Sequence, residues 1–322
     1  MGNVVVSDYK KHRELWLEAR CESIGSSDAP TVCGLNPFKS PVQLWLEKTG
    51  MLAPTEPTSE AVRWGNILES KVLQEFSDRT GIEIAEGTDM VRHPEIGFLT
   101  ASPDGWVKEF GERGLGEVKT TNERNGWMWE DGIPDYAHTQ LTHQMLVTGA
   151  SFGYVICLIG GQKMVWHRVE RNEQLMDALL GVEVEFWRKV KDKIRPELRH
   201  DDLNAVQKLF GRAVDKVVAI NCDDKLVEYS HLKTQISELE KEKDKLEAEI
   251  KWMMGDADKA ICGEYEISWK NVESERIDAK VLRAKFPAIA ADVSKVSHSR
   301  RFSVKTNPNN NKPDEVKHGE NE

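Results

Sequence analysis

Ser102-Pro103-Asp104-Gly105 sets an acid in a turn, and Gly116-Glu117-Val118-Lys119-Thr120 sets a second acid and a lysine two apart on a predicted strand. Side chains at i and i+2 of a strand point to one face, so Glu117 and Lys119 share a side. Gly105-Trp106-Val107 can pair with residues 114–120 as a hairpin, which brings Asp104 to the same end. Two carboxylates and an ammonium converging on one point suit a divalent metal with a water activated beside it. The plain alternative is a surface ion pair between Glu117 and Lys119. Val118 and its neighbours indicate a mostly buried strand, however, where carboxylates need a metal or partners.

Composition narrows the class without choosing a function. The 322 residues have room for one large domain or two smaller ones, and 39% hydrophobic with 30% charged content describes a soluble globular chain. No apolar run approaches a membrane span and the first residues lack a signal-peptide pattern, so a cytoplasmic location without membrane partners is expected. Cys21, Cys33, Cys157, Cys222 and Cys262 contain no CxxC pair, which argues for free thiols over a disulfide framework or zinc ribbon. A net charge of −10 argues against indiscriminate coating of nucleic acid, but leaves room for a local basic channel.

Along the chain, residues 8–22 read as a helix, followed by the small-residue turn Ile24-Gly25-Ser26-Ser27-Asp28. Free amides and hydroxyls at such a turn suit a phosphate, with Arg20 just upstream; an ordinary capped turn is the alternative. Residues 41–48 form a further helix, and the proline-rich stretch 52–59 a linker. In a helix over 60–80, Trp64, Leu68, Val72 and Phe76 form a stripe widened by Ile67 and Leu73, and Glu69 borders it. Residues 82–92 alternate as one strand. Residues 135–148 form a helix with Gln140 and Gln144 on one face; strands over 152–159 and 163–169 and a helix over 170–195 complete the core. The order predicts an α/β fold with a central mixed sheet flanked by helices over residues 1–200.

Beyond residue 200 the character changes. Leu232, Ile236, Leu239, Leu246 and Ile250 alternate steps of three and four, with Lys243 where an apolar residue is due. This predicts a helical hairpin or short coiled coil over about 225–254 within an extension spanning 201–305. A small α+β region follows, with strands over 265–270 and 301–305 and a helix over 277–286. The basic stretch 294–313 suits phosphates or solvent, and 306–322 reads as a disordered tail.

Asp-(x12)-Glu-x-Lys matches the PD-(D/E)xK nuclease pattern. Several further blocks occur in order: Trp16-(x3)-Arg20, Ile24-Gly-Ser-Ser-Asp28, Leu44-Trp-Leu-Glu-Lys-Thr-Gly50, Trp64-Gly65-(x3)-Glu69 and Gln140-(x3)-Gln144-Met145. Together they resemble the YqaJ-type viral recombinase nucleases, relatives of bacteriophage lambda exonuclease, with a restriction-endonuclease-like core. The resemblance implies a phage- or prophage-type exonuclease in a bacterial host cell. It would act 5′ to 3′ on linear double-stranded DNA and leave a 3′ overhang for a single-strand annealing protein. Carried onto this chain, it implies that Glu69, Asp104, Glu117 and the Val118 carbonyl bind metal. Lys119 would orient and help deprotonate water, and Gln140 would support the nucleophile or lysine. Arg20, Ser26 and Ser27 would receive the 5′-phosphate. Hard oxygen donors point to Mg²⁺ or Mn²⁺, as a pair of ions, and the scattered cysteines do not support an iron–sulfur cluster. A homo-oligomer, trimeric by resemblance, is also implied. An endonuclease or single-strand exonuclease of the same fold, and a non-catalytic recombination scaffold, are the competing readings.

Overall fold

The computed structural model describes residues 2–54, 59–214, 216–296 and 299–305. The chain divides into two compact units after Gly211. The first begins with β1 (Asn3–Val6), α1 (Arg13–Cys21), α2 (Ala29–Val32), α3 (Pro41–Lys48) and α4 (Glu60–Thr80). It continues through β2 (Glu83–Glu86), β3 (Met90–Arg92), β4 (Thr100–Ala101), β5 (Gly105–Glu109) and β6 (Glu112–Thr121). It closes with α5 (Trp127–Glu130), α6 (Asp135–Thr148), β7 (Phe152–Ile159), β8 (Lys163–Glu170), α7 (Glu173–Lys191) and α8 (Leu203–Leu209).

A five-stranded mixed sheet of order β2-β5-β6-β7-β8 forms its centre, with β6 and β7 parallel and the other pairs antiparallel. On one face α4 packs Val72, Leu73 and Phe76 against Val107, Val118, Tyr154 and Ile156. On the other, α6 packs Leu141 and Met145 against Leu115, Val155 and Cys157. The expected mixed sheet flanked by helices is therefore present. Close approach is built in at Gly153, where a Cβ would stand 2.6 Å from a Leu141 methyl, so α6 sits hard against β7.

Several local expectations differ from the structure. Residues 82–92 are not one strand: β2 joins the large sheet, while β3 pairs with β1 and β4 in a three-stranded sheet. The chain changes sheets at Gly87, whose N–H donates to the Asp104 carbonyl at 2.8 Å and whose missing Cβ would collide with the Pro103 carbonyl oxygen. The first helix begins at Arg13, not Asp8. The apolar stripe of α4 is buried only in its C-terminal half, at Val72, Leu73 and Phe76, and Trp64 and Ile67 are exposed.

The second unit holds α9 (Asp223–Met254), the antiparallel pair β9 (Lys259–Cys262) and β10 (Tyr265–Ser268), α10 (Ala279–Lys285) and α11 (Pro287–Asp292). The stretch expected as a helical hairpin or coiled coil is one continuous helix of 32 residues. Residues 301–305 form no strand. Part of the linker, at 55–58, and the tail from 306 lie outside the described residues.

One buried ion pair ties the helices behind the sheet together. His143 of α6 and Glu183 of α7 are both fully buried, with Nδ1 2.6 Å from Glu183 Oε1 and Nε2 2.9 Å from the Thr100 carbonyl oxygen. The Thr100 carbonyl can only accept, so Nε2 carries a proton, and Nδ1 faces the Glu183 carboxyl. The Glu183 charge and these two bonds outweigh burial and raise the His143 pKa above its ordinary value of about 6.5. Glu183→Leu or His143→Leu alone should cost roughly 3–5 kcal/mol by leaving an unpaired buried group, and the double variant should recover most of it. The folded pKa is raised, so the pair's stabilisation is complete below about pH 6.5 and is lost as pH rises through the folded value. Urea unfolding of wild type and double variant across this range measures it: the wild-type midpoint should fall as pH rises, and that of the double variant, which lacks the pair, should not follow it.

Candidate active site

β6 carries the centre of the site. Its alternation turns Val118 under α4 and turns Glu117 and Lys119 toward α6, as the strand period requires. Glu117 is 1% exposed, yet its carboxylate is fully engaged. Lys119 Nζ and Gln140 Nε2 each donate to Glu117 Oε1 at 2.5 Å, and Gln144 Nε2 donates to Oε2 at 2.6 Å. Lys119 Nζ also donates to Gln140 Oε1 at 2.9 Å, which closes a ring of three side chains. Gln140 and Gln144 reach one carboxylate because they lie one helical turn apart. Gln144 belongs to the sequence block but was assigned no role there; the structure makes it a direct ligand of Glu117, with its own buried Oε1 left without a partner.

Asp104 stands at the entry to β5, where its Oδ2 accepts the Val118 N–H at 2.8 Å across the hairpin. Its pKa is raised well above the ordinary carboxylate range by burial and then by the charges of Glu117 and Glu69. Glu69 is raised as well, by burial first, with Glu117 and Glu86 adding to it and Lys10 opposing. Lys119 is moved up because the charges of Glu117 and Asp104 outweigh its desolvation. The carboxylates of Glu69, Asp104 and Glu117 thus share one electrostatic field.

Two residues of this field carry no spacing signal in the sequence. Lys10 Nζ lies 2.9 Å from Glu69 Oε1 and 2.5 Å from Glu86 Oε1, so Glu69 is paired with an N-terminal lysine. The Tyr9 hydroxyl is held protonated by burial and by Asp104, Glu69 and Glu117. Among the described residues no three acidic, histidine or cysteine side chains are gathered as a ready metal-holding group. The chemistry of the donor set nonetheless fits a hard divalent cation: the donors are oxygens, and the acids disfavour one another's charge.

The second cluster is organised by Trp16. Its ring lies under the guanidinium groups of Arg13 and Arg20, at 3.9 and 4.7 Å, and stacks on Tyr9 with centroids 6.0 Å apart. Its Nε1 donates to Ser102 Oγ at 3.1 Å, which joins α1 to the Asp104 turn. Arg20 Nη2 donates to Ser27 Oγ at 2.9 Å and to Asp28 Oδ1 at 2.8 Å. Lys48 clamps the other Asp28 oxygen at 2.7 Å and the Arg20 carbonyl at 2.6 Å. Two cations hold the Asp28 carboxyl far below its ordinary range despite burial. Ser26 Oγ is buried without a partner. The structure thus joins Arg20 to Ser27, with Asp28 and Lys48 added to the expected set, and Ser26 precedes Ser27 on the same turn.

The profile of the YqaJ-like viral recombinase domain matches residues 15–151. The chain is 36% identical over 317 residues to YqaJ of Bacillus subtilis (strain 168), covering 94% of this chain and 98% of the relative. Among solved structures it is similar to an alkaline exonuclease from Laribacter hongkongensis, with 23% identity and a TM-score of 0.49 over 56% of this chain and 94% of that one. A phage-related exonuclease from Haemophilus somnus 129PT matches at 12% identity and a TM-score of 0.42, over 53% of this chain and 94% of that one. Among the described residues no helix is long and apolar enough to cross a membrane. With that identity along nearly the full length of both chains, the protein belongs to the YqaJ-like viral recombinase family.

Proposed function

We propose that this protein is a metal-dependent 5′ to 3′ exonuclease of linear double-stranded DNA in the cytoplasm of a bacterial host. The observation that carries the reading is the Lys119 ammonium held between Glu117 and Gln140, beside a half-buried Asp104 whose pKa is raised by desolvation and then by the charges of Glu117 and Glu69. Such a group of acids with one fixed lysine is suited to hydrolysing a phosphodiester.

Glu69, Asp104, Glu117 and the Val118 carbonyl would hold Mg²⁺ or Mn²⁺. The metal would neutralise nonbridging charge and stabilise the leaving oxygen. Lys119 Nζ is the group that meets the attacking water. As an ammonium it donates a hydrogen bond and orients the water; it accepts a proton only when the carboxylate charge beside it is neutralised. Gln140 fixes Lys119 by accepting one of its three N–H groups. Arg20, Ser26 and Ser27 receive the terminal phosphate, and an arginine suits this because its N–H groups can form paired bonds to phosphate oxygens. Breaking the P–O3′ bond leaves a 5′-phosphate on the shortened strand, which renews the group the pocket recognises. The product is a 3′ single-stranded overhang, the substrate of an annealing protein.

The test incubates purified protein with Mg²⁺ and linear duplexes bearing a 5′-phosphate or a 5′-hydroxyl, beside closed circular DNA. Linear DNA should be degraded, with the phosphorylated end preferred, and the circle left intact. Lys119→Ala should lose at least 100-fold in rate, the scale of one positioned acid–base group. Digestion of the circle, or equal activity in Lys119→Ala, refutes the reading.

The end pocket makes a separate prediction. Arg20→Ala should abolish the preference for phosphorylated ends while the hydroxyl end is still cut at a comparable rate. A variant that discriminates as well as wild type removes Arg20 from the pocket.

A further inference from the structure

Glu69 differs from the other acids of the cluster in where its counter-ion comes from. Glu117 is met by Lys119, Gln140 and Gln144, and Asp104 by the Val118 N–H, all from the strand and helix that build the site. Glu69 Oε1 is instead taken by Lys10 Nζ at 2.9 Å, and the same ammonium lies 2.5 Å from Glu86 Oε1. Glu86 ends β2 directly across from Gly105, the residue after Asp104, so both partners of Lys10 border the cluster.

Lys10 is carried on a fixed stretch of backbone. The Tyr9 N–H donates to the Thr88 carbonyl at 2.8 Å and the Asp8 N–H to Asp89 Oδ1 at 3.1 Å, which ties this stretch to the chain just after Glu86. The Tyr9 ring stacks on Trp16. The lysine side chain itself is partly exposed and shared between two carboxylates, unlike Lys119, which Glu117 and Gln140 hold in place. A compact charge on a flexible four-carbon stem can move from one oxygen to another while its backbone stays still.

We propose that Lys10 is a built-in cation of the acid cluster, which neutralises Glu69 in the metal-free protein and yields that carboxylate to Mg²⁺ or Mn²⁺ by moving wholly onto Glu86. The proposal rests on the metal-dependent reading given above. An ammonium and a divalent ion a few ångströms apart repel each other, so a metal at Glu69 works against Lys10 where it now stands. Glu86 lowers the cost of that displacement, because Lys10 keeps an ion-pair partner after it leaves Glu69. Lys10 thereby sets how tightly the cluster binds metal, and it holds the three acids together until metal arrives.

The test measures Mn²⁺ binding to the full-length, metal-stripped protein without DNA, from the electron paramagnetic resonance signal of the free ion. Lys10→Met should bind about tenfold more tightly than wild type, the scale of removing one like charge beside a divalent ion. Lys10→Arg keeps the charge and should bind no more tightly than wild type. Glu86→Gln leaves Lys10 with Glu69 alone and should weaken binding severalfold, a loss that shrinks in the Lys10→Met background. Adding Asp104→Asn to Lys10→Met should abolish the gain, which assigns it to this cluster. In thermal unfolding with chelator, Lys10→Met should melt below wild type, and Mn²⁺ should raise its Tm by more than it raises that of wild type. A lysine that only props the N-terminal segment would lower Tm alike in both conditions. Unchanged affinity in Lys10→Met, equal tightening in Lys10→Arg, or a gain that survives Asp104→Asn overturns the proposal. Wild type that takes up no Mn²⁺ overturns the metal reading and this proposal together, whereas uptake unaffected by Lys10→Met overturns this proposal alone.

Discussion

A carboxylate buried to 1% exposure, Glu117, is the constraint on which the rest of the site depends. An isolated charge at such depth is expensive, and the protein meets that cost with the Lys119 ammonium of the same strand and two amides from α6. The amides reach it only if α6 lies with its glutamine face on β6, which requires Leu141 and Met145 to pack beside them and Gly153 to let the helix approach. The hydrophobic contact and the polar ring therefore specify the same helix placement. Without that placement Lys119 would be a lysine on a strand; within it, Gln140 fixes the ammonium in one position.

α6 is held by charge on a second side as well. His143, adjacent to Gln144 in sequence, leaves the sheet and joins Glu183 of α7 and the carbonyl of Thr100. Thr100 in turn shares its hydroxyl with Ser23 at 2.9 Å, and its N–H donates to the Ile24 carbonyl at 3.0 Å, at the start of the Arg20–Asp28 turn. A chain of buried polar contacts thus runs from α6 through β4 to the Arg20–Asp28 turn. Partly satisfied buried networks are costly, so each member restricts the positions of its neighbours.

The features written in short-range pattern were legible in the sequence. Glu117 and Lys119 share a face because the strand period is two, and Gln140 and Gln144 share one because the helix period is close to four. The features that escaped depend on partners distant in the chain. His143 meets Glu183 forty residues away, and Lys10 meets Glu69 at a separation of 59, with no spacing to announce either. Residues 82–92 alternated as one strand, since alternation does not reveal that the backbone at Gly87 must pass against the Pro103 carbonyl. Trp64 fitted the stripe of α4 because periodicity says which side of a helix is apolar, not which residues of that side a neighbour covers.

Trp16 shows how the two clusters are kept in fixed relation. Its ring carries Arg20 on one side while its indole N–H is anchored to Ser102, two residues before Asp104. Arg20 and Asp104 are therefore referred to the same rigid side chain, not to separate loops. Under the proposed function, a terminal phosphate at Arg20 and a scissile phosphate at Lys119 would lie one nucleotide apart, and cleavage would be accurate only if the groups that hold them keep a fixed separation. A buried indole with its one donor satisfied supplies that rigidity, and under the proposed function the same strut would serve each cycle of degradation.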